Sequence, residues 1–343
     1  MRDFSLDGLD MIYKCKSKEI YRIDDERIIK VYEPAFCDEI LLMQKDMSDF
    51  LNANGVRTVK MYENVTVDER YGIIQEYIDG EMLNEHYRYA LAQRTEAAEK
   101  LGRLLKKIHS TTPDKEMFRP VTEMVRSSLR SGKIISLIEE NRIVKALENI
   151  EGEPVLLHGH FFTPNIIVKD EDYYLTDVSS MCIGPKEFDL MQIFCDYYYR
   201  MPRVYAIRHE LTPSIIENFL ITLLSTYYET EDTLVLTKLF ELYSRTCKFC
   251  DFVTKINSTC QQNRKMMREY IDSHTDEIMF IIMEMYAFEK KEMACFREEE
   301  EEDDSNEYKS LEFDPEYINL VKQLDEEKRK KKEAGLAELE KLE

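Results

Sequence analysis

The most constraining stretch of this 343-residue chain is Val155–Leu190, which reads VLLHGHFFTPNIIVKDEDYYLTDVSSMCIGPKEFDL. Two short apolar runs, Ile166–Val168 and Tyr173–Thr176, flank an acidic turn, and this pattern predicts a two-stranded hairpin. Such a hairpin holds Asn165 at its entrance and Asp177 at its exit. Mg²⁺ is usually bound by few protein oxygens together with nucleotide phosphates. The sequence therefore predicts that this amide and this carboxylate can share one hard cation.

Length and composition predict a globular protein with one large domain or two lobes. Hydrophobic residues make up 43% of the 343 positions, which is enough for a full core. The longest unbroken apolar runs, such as Phe219–Leu224 and Ile278–Met283, are far shorter than the roughly 18 residues of a membrane span. The N-terminal residues lack the basic and apolar pattern of a secretory signal. We therefore expect a cytoplasmic protein with no membrane partner.

The net charge and the cysteines indicate which partners and which thiol chemistry this protein can have. The formal net charge of −21 argues against nucleic acid as a partner and suits cationic or neutral ligands. The eight cysteines show no regular framework, which is typical of reduced, buried thiols. Cys247 and Cys250 form a single C-x-x-C pair, and the second pair of the strong zinc pattern is missing. Core packing is therefore favoured over metal or redox use for these thiols.

The organising stretch also carries a family resemblance. The pattern H-G-x-x-x-x-x-N from His158 to Asn165, the later Asp177, and the run G-P-K-E-F-D-L resemble the core of the aminoglycoside phosphotransferase and choline kinase-like families. These families are relatives of the protein kinases. The resemblance implies an α+β, protein-kinase-like two-lobe fold, with a small antiparallel β lobe and a larger, mostly helical lobe. It also implies ATP and Mg²⁺ as cofactors, Asn165 and Asp177 as metal ligands, and a small-molecule hydroxyl as the acceptor.

His160 stands where members of these families usually have the catalytic aspartate. As a base, a neutral imidazole accepts a proton near pH 7, because its unperturbed pKa is about 6.5. Alternatively, the site is inactive and the protein is a nucleotide-binding pseudokinase, or a protonated His160 pairs with an anionic acceptor. A chain without nucleotide function is the remaining alternative. The sequence leaves these choices open.

Residues 1–79 are predicted to form the nucleotide-binding lobe. By resemblance, Lys30 holds the nucleotide phosphates, and the main chain of Glu76 and Ile78 in the hinge binds the adenine edge. The loop before the second strand contains no glycine, so phosphate contacts there fall to side chains such as Ser17. The predicted strands, separated by acidic turns or by a helix, are Ile12–Lys14, Glu19–Ile23, Arg27–Tyr32, Val59–Val67 and Tyr71–Tyr77.

A helix is predicted over Asp38–Asn54 from its apolar spacing. In the resembling families this helix carries a glutamate that orients the lysine. Gln44 stands at the usual spacing here, and Glu39 is the nearest upstream glutamate. A neutral amide would bind the lysine less strongly than a carboxylate would. The sequence does not decide between the two residues.

Residues 80–296 are predicted to form a helical lobe that carries the catalytic-type loop and the metal site. Helices are expected over Thr95–His109, within 114–154, and in nearly all of the chain after Asp189. His109 is expected to have a structural role, and by resemblance Asp189 buttresses the catalytic loop. The tyrosines at 197–199 and 227–228 are expected to pack in the core or an interface rather than stack on a substrate.

Residues 297–343 are predicted to form an acidic linker and a charged helical tail. The seven consecutive acids Glu298–Asp304 repel one another and favour an extended linker. A protein contact through this tail, with the chain acting as an acidic interaction scaffold, is a further alternative to the two nucleotide-binding functions.

Overall fold

The structure is a computed structural model that describes residues 1–15, 17–34, 39–86, 91–148, 153–200, 211–257 and 263–297. Side chains at 39, 84, 86, 91–93 and 284–297 are not described. Residues Met1–Ala294 form one compact unit, and Cys295–Glu343 form a second. The predicted acidic linker and tail lie almost entirely outside the described residues.

A six-stranded sheet forms the smaller lobe. Its strands are β1 (Arg2–Asp3), β2 (Asp10–Lys14), β3 (Lys18–Arg22), β4 (Arg27–Tyr32), β5 (Met61–Val67) and β6 (Arg70–Glu76). They lie in the order β1-β5-β6-β4-β3-β2, and every pair is antiparallel except β1, which is parallel to β5. The predicted antiparallel lobe is confirmed, with a parallel edge strand added. Two residues are too few to show a strand period, so β1 could not be predicted from the sequence.

The alternation of side chains along β4 determines where Lys30 points. Ile29 and Val31 pack with Val65, Val67 and Ile74 in a small core on one face of the sheet. Because successive strand residues face opposite sides, Lys30 shares the other face with Tyr32, which belongs to the main core. The lysine therefore lies on the face of the sheet that packs toward the rest of the compact unit.

Helix α1 (Gln44–Ala53) is shorter than predicted. Glu39–Met43 form a 3-10 turn, so the α-helical part of the predicted 38–54 segment begins only at Gln44. Met47 and Leu51 are fully buried in the main core. The helix stops before Gly55, whose φ of +75° is a conformation that glycine adopts without steric cost.

The larger lobe is mostly helical, as predicted. Its helices are α2 (Leu83–His86), α3 (Leu91–His109), α4 (Val121–Ser131), α5 (Leu137–Glu148), α6 (Glu187–Phe194), α7 (Pro213–Tyr228), α8 (Thr233–Thr246), α9 (Lys248–Asn257) and α10 (Arg264–Arg297). A π-helical turn, Cys195–Tyr199, continues α6. Helix α3 packs on α7 and helix α4 packs on α9. Within the described residues, no helix has the length and apolar character that crossing a membrane requires.

Two small sheets frame the catalytic-type loop, His158–Asn165. The predicted hairpin is confirmed as β9 (Ile166–Lys169) and β10 (Asp172–Leu175), with β7 (Glu81–Met82) added at its edge. Strand β8 (Val155–Leu157) pairs with β11 (Cys182–Gly184). The catalytic-type loop joins β8 to β9, and residues 176–181 join β10 to β11, so the two loops run side by side.

Candidate active site

The open end of the hairpin holds Asn165 and Asp177. Ile166 and Leu175 form the last pair of the β9–β10 ladder, and the Thr176 N–H donates to the Asn165 carbonyl oxygen at 2.9 Å. The backbone register therefore fixes Asn165 beside Thr176, with Asp177 one residue further along. The two oxygen-bearing side chains leave the same end of one rigid element.

Asp177 is ionised in this environment. The Ser179 N–H and hydroxyl donate to Oδ1 at 3.1 and 2.7 Å, and Lys18 Nζ lies 3.4 Å from Oδ2. Burial alone would raise the pKa of Asp177, but Lys18, Lys30 and Ser179 together hold that pKa well below its usual range. A carboxylate that keeps its charge at any physiological pH is suited to binding a cation.

Lys30 reaches from the smaller lobe to the residue beside Asp177. Its Nζ donates to the Thr176 carbonyl oxygen at 2.7 Å, and the residue is only 4% exposed. Burial and the nearby Lys18 lower the pKa of Lys30 to about 7, although Asp177 opposes this change. A phosphate group beside Lys30 would favour its charged form.

His160 is exposed, and its ring stacks on Phe162 with centroids 6.2 Å apart. Asn165 Nδ2 lies 3.1 Å from the His160 carbonyl oxygen and 3.4 Å from His160 Nδ1. Since the carbonyl oxygen only accepts, the amide nitrogen of Asn165 faces His160 and its oxygen faces away. A neutral His160 that accepts this contact at Nδ1 carries its proton on Nε2.

Asp189 fixes the start of the catalytic-type loop. Its carboxylate accepts the His158 N–H at 2.7 Å and the Gly159 N–H at 2.8 Å, and it lies 3.0 Å from His109 Nε2. The other ring nitrogen of His109 is 2.6 Å from the Tyr227 hydroxyl. The geometry agrees with the buttressing role that the resemblance implies for Asp189 and with a structural role for His109.

Gly159 allows this loop to pass close to the parallel loop. Its φ is +76°, and a Cβ atom built there would lie 2.0 Å from the Ser180 carbonyl oxygen. His158 beside it is fully buried, and burial lowers the pKa of its imidazole to about 4. His158 is therefore neutral, and its Nδ1 accepts the His160 N–H at 3.3 Å.

The structure does not bring Gln44 to Lys30. The buried Gln44 amide instead contacts the Tyr32 hydroxyl and the Leu41 carbonyl oxygen, each at 3.4 Å. Tyr32 and Lys30 lie on the same face of β4, and the Tyr32 hydroxyl is the group on that face that contacts the amide. The side chain of the alternative residue, Glu39, lies outside the described residues.

The remaining predicted contacts lie in the first loop and the hinge. The Ser17 hydroxyl lies 3.3 Å from Cys15 Sγ, and the Ser17 carbonyl oxygen accepts the Glu33 N–H. In the hinge, the Glu76 N–H donates to the Lys60 carbonyl oxygen at 2.8 Å. No backbone partner for the Ile78 N–H is found among the described residues.

The aromatic and sulfur side chains of the larger lobe mostly serve packing. Tyr197 and Tyr227 are buried in the main core, as predicted, whereas Tyr198 and Tyr199 are exposed. Cys247 and Cys250 are free and buried. In the part of the chain that the structure describes, no group of three or more histidine, cysteine and acidic side chains is arranged to hold a metal ion.

Two contacts of Asp177 were not predicted. Ser179 follows Asp177 by two residues, a spacing at which an aspartate commonly accepts a hydrogen bond from the local backbone. That local signal was available in the sequence. The contact of Lys18 with Asp177 spans 159 residues, and no local pattern reports it.

Comparisons with known proteins agree on one family. The model of the phosphotransferase enzyme family, APH, matches residues 17–231. Aminoglycoside phosphotransferase APH(2'')-Ib, solved with ADP bound, is similar at a TM-score of 0.53 and 15% identity, with 81% of this chain and 94% of that chain covered. Amicoumacin kinase hAmiN, solved with AMP-PNP and Ca²⁺, has a TM-score of 0.53 and 12% identity over 81% of this chain and 90% of its own.

A third solved relative in fold is an ethanolamine kinase from Plasmodium vivax, with a TM-score of 0.53 and 16% identity over 78% of this chain and 81% of that chain. At such identities these likenesses show the fold alone. Among curated proteins no match to this sequence was found. Because the family model covers more than half of the 343 residues, the chain belongs to the phosphotransferase enzyme family.

Proposed function

We propose that this protein is an ATP- and Mg²⁺-dependent phosphotransferase that acts on the hydroxyl group of a small molecule. The observation that carries the proposal is the approach of Lys30, from the smaller lobe, to the backbone oxygen beside Asp177 in the larger lobe. A buried cation and an ionised carboxylate from different lobes are the groups that hold a nucleotide phosphate and its metal ion. Family membership and nucleotide-bound neighbours in fold support the same conclusion.

Lys30 would bind the nucleotide phosphates by exchanging its hydrogen bond to the Thr176 oxygen for one to phosphate. Ile78 would donate its N–H to the adenine edge, and Glu76 would contribute through its carbonyl oxygen. The Ser17 hydroxyl would donate to phosphate in place of a glycine-rich backbone. The Gln44 amide already bonds to Tyr32 and Leu41 and is not part of the proposed nucleotide site.

The residues present at the hairpin fit one Mg²⁺ ion. The amide nitrogen of Asn165 faces His160, so its oxygen is the group that faces away from the loop. Asp177 is ionised, and Ser179 fixes one of its oxygens while the other lies beside Lys18. Mg²⁺ usually takes one or two protein ligands and completes its shell with phosphate and water. When bound, the ion would neutralise charge on the phosphate oxygens.

In the transfer, the bond between the γ-phosphorus and the bridging oxygen of ATP breaks while a bond to the acceptor oxygen forms. The products are ADP and a phosphate ester. The acceptor hydroxyl proton goes to His160 Nε2, which requires the tautomer with its proton on Nδ1. In that tautomer the Nδ1–H and the Asn165 amide nitrogen are both donors and stand 3.4 Å apart, so proton acceptance at Nε2 requires the imidazole or the amide to rotate.

A second candidate function is nucleotide binding without transfer, as in a pseudokinase. The observation that favours it is the same contact of Asn165 with His160. With the proton on Nε2, the exposed nitrogen of His160 donates a hydrogen bond to a hydroxyl and does not accept its proton. Both candidate functions predict binding of ATP with Mg²⁺, and they differ only in turnover.

We also propose that the nucleotide-binding lobe comprises residues 1–79 and the helical lobe residues 80–296. Strand β6 ends at Glu76, and β7 pairs with β9 of the other lobe. Gly80 lies at the boundary, where a Cβ atom would stand 2.5 Å from the Val168 carbonyl oxygen. The chain therefore leaves the six-stranded sheet at Glu76 and joins the sheet of the other lobe at Glu81, which supports the proposed division.

The test is a comparison of nucleotide binding with turnover. Purified protein should melt at a higher temperature with ATP and Mg²⁺ than without them, and it should release ADP when an acceptor alcohol is present. Asp177→Ala should abolish both effects, whereas Asp172→Ala, at the far end of the same hairpin, should retain them. No change of melting temperature with ATP and Mg²⁺ would contradict both candidate functions. Binding without turnover, with turnover gained in His160→Asp, would establish the second candidate.

A further inference from the structure

Two residues of one helical segment anchor the catalytic-type loop. Asp189, in α6, accepts the N–H groups of the first two residues of the loop at 2.7 and 2.8 Å. Tyr197, in the π-helical turn that continues α6, contacts the loop further along the chain, at Thr163. The exposed His160 lies between these two anchor points. The start of the loop and its later turn are therefore held by different side chains.

The Tyr197 hydroxyl makes two hydrogen bonds to Thr163. It accepts the Thr163 N–H at 3.2 Å, and it donates to Thr163 Oγ1. Tyr197 is 4% exposed and Thr163 is 1% exposed, so both bonds lie away from water. A buried polar group that loses its partner costs free energy, because water cannot replace that partner. The hydroxyl therefore restrains the backbone of the loop as well as one side chain.

Thr163 begins the short turn that carries the candidate metal ligand Asn165. Thr163–Asn165 form a 3-10 turn, which the Asn165 N–H closes by donating to the Phe162 carbonyl oxygen at 2.8 Å. The hairpin fixes the far end of this turn, where the Asn165 carbonyl oxygen accepts the Thr176 N–H. Tyr197 fixes the near end through Thr163. Because both ends set the tilt of the turn, the direction of the Asn165 side chain depends on the Tyr197 hydroxyl.

The ring of Tyr197 also supports His160. Phe162 packs edge-on against Tyr197, with ring centroids 5.4 Å apart, and the His160 ring stacks on Phe162. Phe162 and Thr163 are consecutive, so a displacement of the loop at Thr163 also moves the ring on which His160 rests. The candidate metal ligand and the candidate proton acceptor thus share one support.

The π-helical turn brings Tyr197 toward the side of the helix that carries Asp189. The Arg200 N–H donates to the Cys195 carbonyl oxygen, five residues back, at 2.7 Å. In a continuous α-helix, a side chain eight residues after Asp189 would lie about 80° around the axis from it. A turn closed over five residues rotates each residue by less, so it reduces this angle. Such turns are rare and are frequently found at functional sites.

We propose that Tyr197 is a positioning residue for phosphoryl transfer. Through Thr163 it orients the Asn165 oxygen that binds the metal ion, and through Phe162 it orients the His160 ring. Tyr197 itself contacts neither the nucleotide nor the acceptor. The inference rests on the proposed function, because it assigns Tyr197 a role in the proposed metal and transfer site.

Tyr197→Phe tests this role, because it removes the hydroxyl and keeps the ring. It should weaken binding of Mn²⁺, a probe for Mg²⁺, to nucleotide-free protein by about tenfold, the factor that one lost buried hydrogen bond corresponds to. Electron paramagnetic resonance of free Mn²⁺ measures this affinity. Amide hydrogen exchange of the catalytic-type loop, followed by mass spectrometry, should become faster by about tenfold as well.

Tyr243→Phe is the matched control. Tyr243, on α8, is also buried, and its hydroxyl lies 2.6 Å from the hydroxyl of Tyr228 on α7, outside the loop. Its loss should lower the stability measured by urea unfolding about as much as Tyr197→Phe does. It should leave Mn²⁺ affinity and exchange of the loop unchanged. The comparison separates positioning of the site from a general loss of stability.

Thr163→Val removes the other partner of the same bond and should weaken Mn²⁺ binding by about threefold to tenfold. The double variant with Tyr197→Phe should lose less affinity than the product of the two single losses, because the two exchanges remove one shared bond. Circular dichroism verifies that each variant is folded. If Tyr197→Phe does not fold, Thr163→Val decides the question by the same two measurements.

Unchanged Mn²⁺ affinity or unchanged loop exchange in Tyr197→Phe would overturn the inference. Equal losses of affinity in Tyr197→Phe and Tyr243→Phe would overturn it too, since lower stability alone would then account for both. Wild-type protein that binds neither Mn²⁺ nor ATP would end the proposed function and this inference together. Wild-type protein that binds both, with any of the contrary results in the variants, would end this inference alone.

Discussion

At the scale of single residues, the site is built from charges that the fold removes from water. Lys30 is 4% exposed, and burial is the main cause of its pKa of about 7. Asp177 keeps its charge because Lys18, Lys30 and Ser179 outweigh the effect of burial on its pKa. The protein thus maintains a lysine that costs stability when charged, which is typical of a residue retained for ligand binding.

Lys30→Met should stabilise the protein and abolish nucleotide binding. Below pH 7 the folded protein holds a charged, buried Lys30, so the exchange should raise the free energy of unfolding by about 1–3 kcal/mol after loss of the bond to Thr176. Between pH 7 and 10 the unfolded chain retains the lysine proton and the folded protein releases it, so the free energy of unfolding of the wild type rises with pH. The difference in free energy of unfolding between Lys30→Met and the wild type therefore becomes smaller over this pH range.

Urea unfolding at pH 6 and pH 9.5, with a thermal-shift titration of ATP and Mg²⁺, measures both effects. Lys60→Met removes an exposed lysine near the hinge and should change neither stability nor its pH dependence by more than a small amount. A Lys30→Met protein less stable than wild type at pH 6 would show that the buried ammonium contributes more than it costs.

Gly159→Ala should destabilise the protein far more than a glycine replacement of the same backbone type elsewhere. Gly8 and Gly159 both have a φ of +76°, but a Cβ atom at Gly8 meets nothing within 4 Å, whereas at Gly159 it meets the Ser180 carbonyl oxygen. Gly8→Ala therefore isolates the backbone strain, about 1 kcal/mol. We expect Gly159→Ala to lower the free energy of unfolding by at least about 2 kcal/mol more. Equal losses measured by urea unfolding would show that the two loops separate easily.

At the scale of elements, Lys18 at the start of β3 contacts the end of the hairpin that holds the candidate metal ligands. Lys18 Nζ lies 3.4 Å from Asp177 Oδ2, so a cation that binds Asp177 meets the lysine charge first. Lys18→Gln should therefore tighten binding of Mn²⁺, used as a probe for Mg²⁺, to nucleotide-free protein by about threefold to tenfold. It should also weaken ATP binding, because a cation near the phosphates is lost.

Electron paramagnetic resonance of free Mn²⁺ measures the metal affinity. Lys14→Gln removes a lysine that pairs with Glu19 on the neighbouring strand and should leave Mn²⁺ binding unchanged. Unchanged Mn²⁺ affinity in Lys18→Gln would show that this lysine leaves Asp177 in solution or that Asp177 does not bind the ion.

The hairpin and the strands of the smaller lobe were predictable because their signals are local. The alternation of apolar residues, the acidic turns and the positions of Asn165 and Asp177 at the two ends of the hairpin are each contained in one short stretch of the chain. The position of Lys30 on the inner face of β4 follows from the same period of two. The parallel strand β1 and the 3-10 start before α1 were not predicted, since neither has a period to detect.

The contacts that give the site its chemistry were not predictable, because they join distant segments. Lys18 meets Asp177, and Tyr197 meets Thr163, only after two lobes and several helices have packed. Spacing along the chain offered Gln44 and Glu39 as alternative partners of Lys30, yet the Gln44 amide contacts the phenol of Tyr32 instead. Sequence spacing indicates which element carries a side chain and does not determine which neighbour that side chain meets.

At the scale of the whole molecule, the compact unit Met1–Ala294 contains the sheet, the helices of the main core and every residue of the candidate site. Ile278, Ile281 and Ile282 in α10 are buried in that core, with at most 3% of each exposed. The seven acids Glu298–Asp304 follow this helix directly. Stability and ATP binding should therefore depend on α10 and not on the residues after it.

A chain that ends at Arg297 should melt within about 2 °C of the full-length protein and should show the same shift with ATP and Mg²⁺. A chain that ends at Asp276 loses the three buried isoleucines, and each costs about 2–5 kcal/mol when its side chain is removed, so this shorter chain should not fold. Differential scanning calorimetry of both chains, with and without nucleotide, separates the tail from the helix. A large drop in melting temperature on ending the chain at Arg297 would mean that residues 298–343 contribute to the stability of the compact unit, and the acidic run would then be an internal connection rather than the start of a tail.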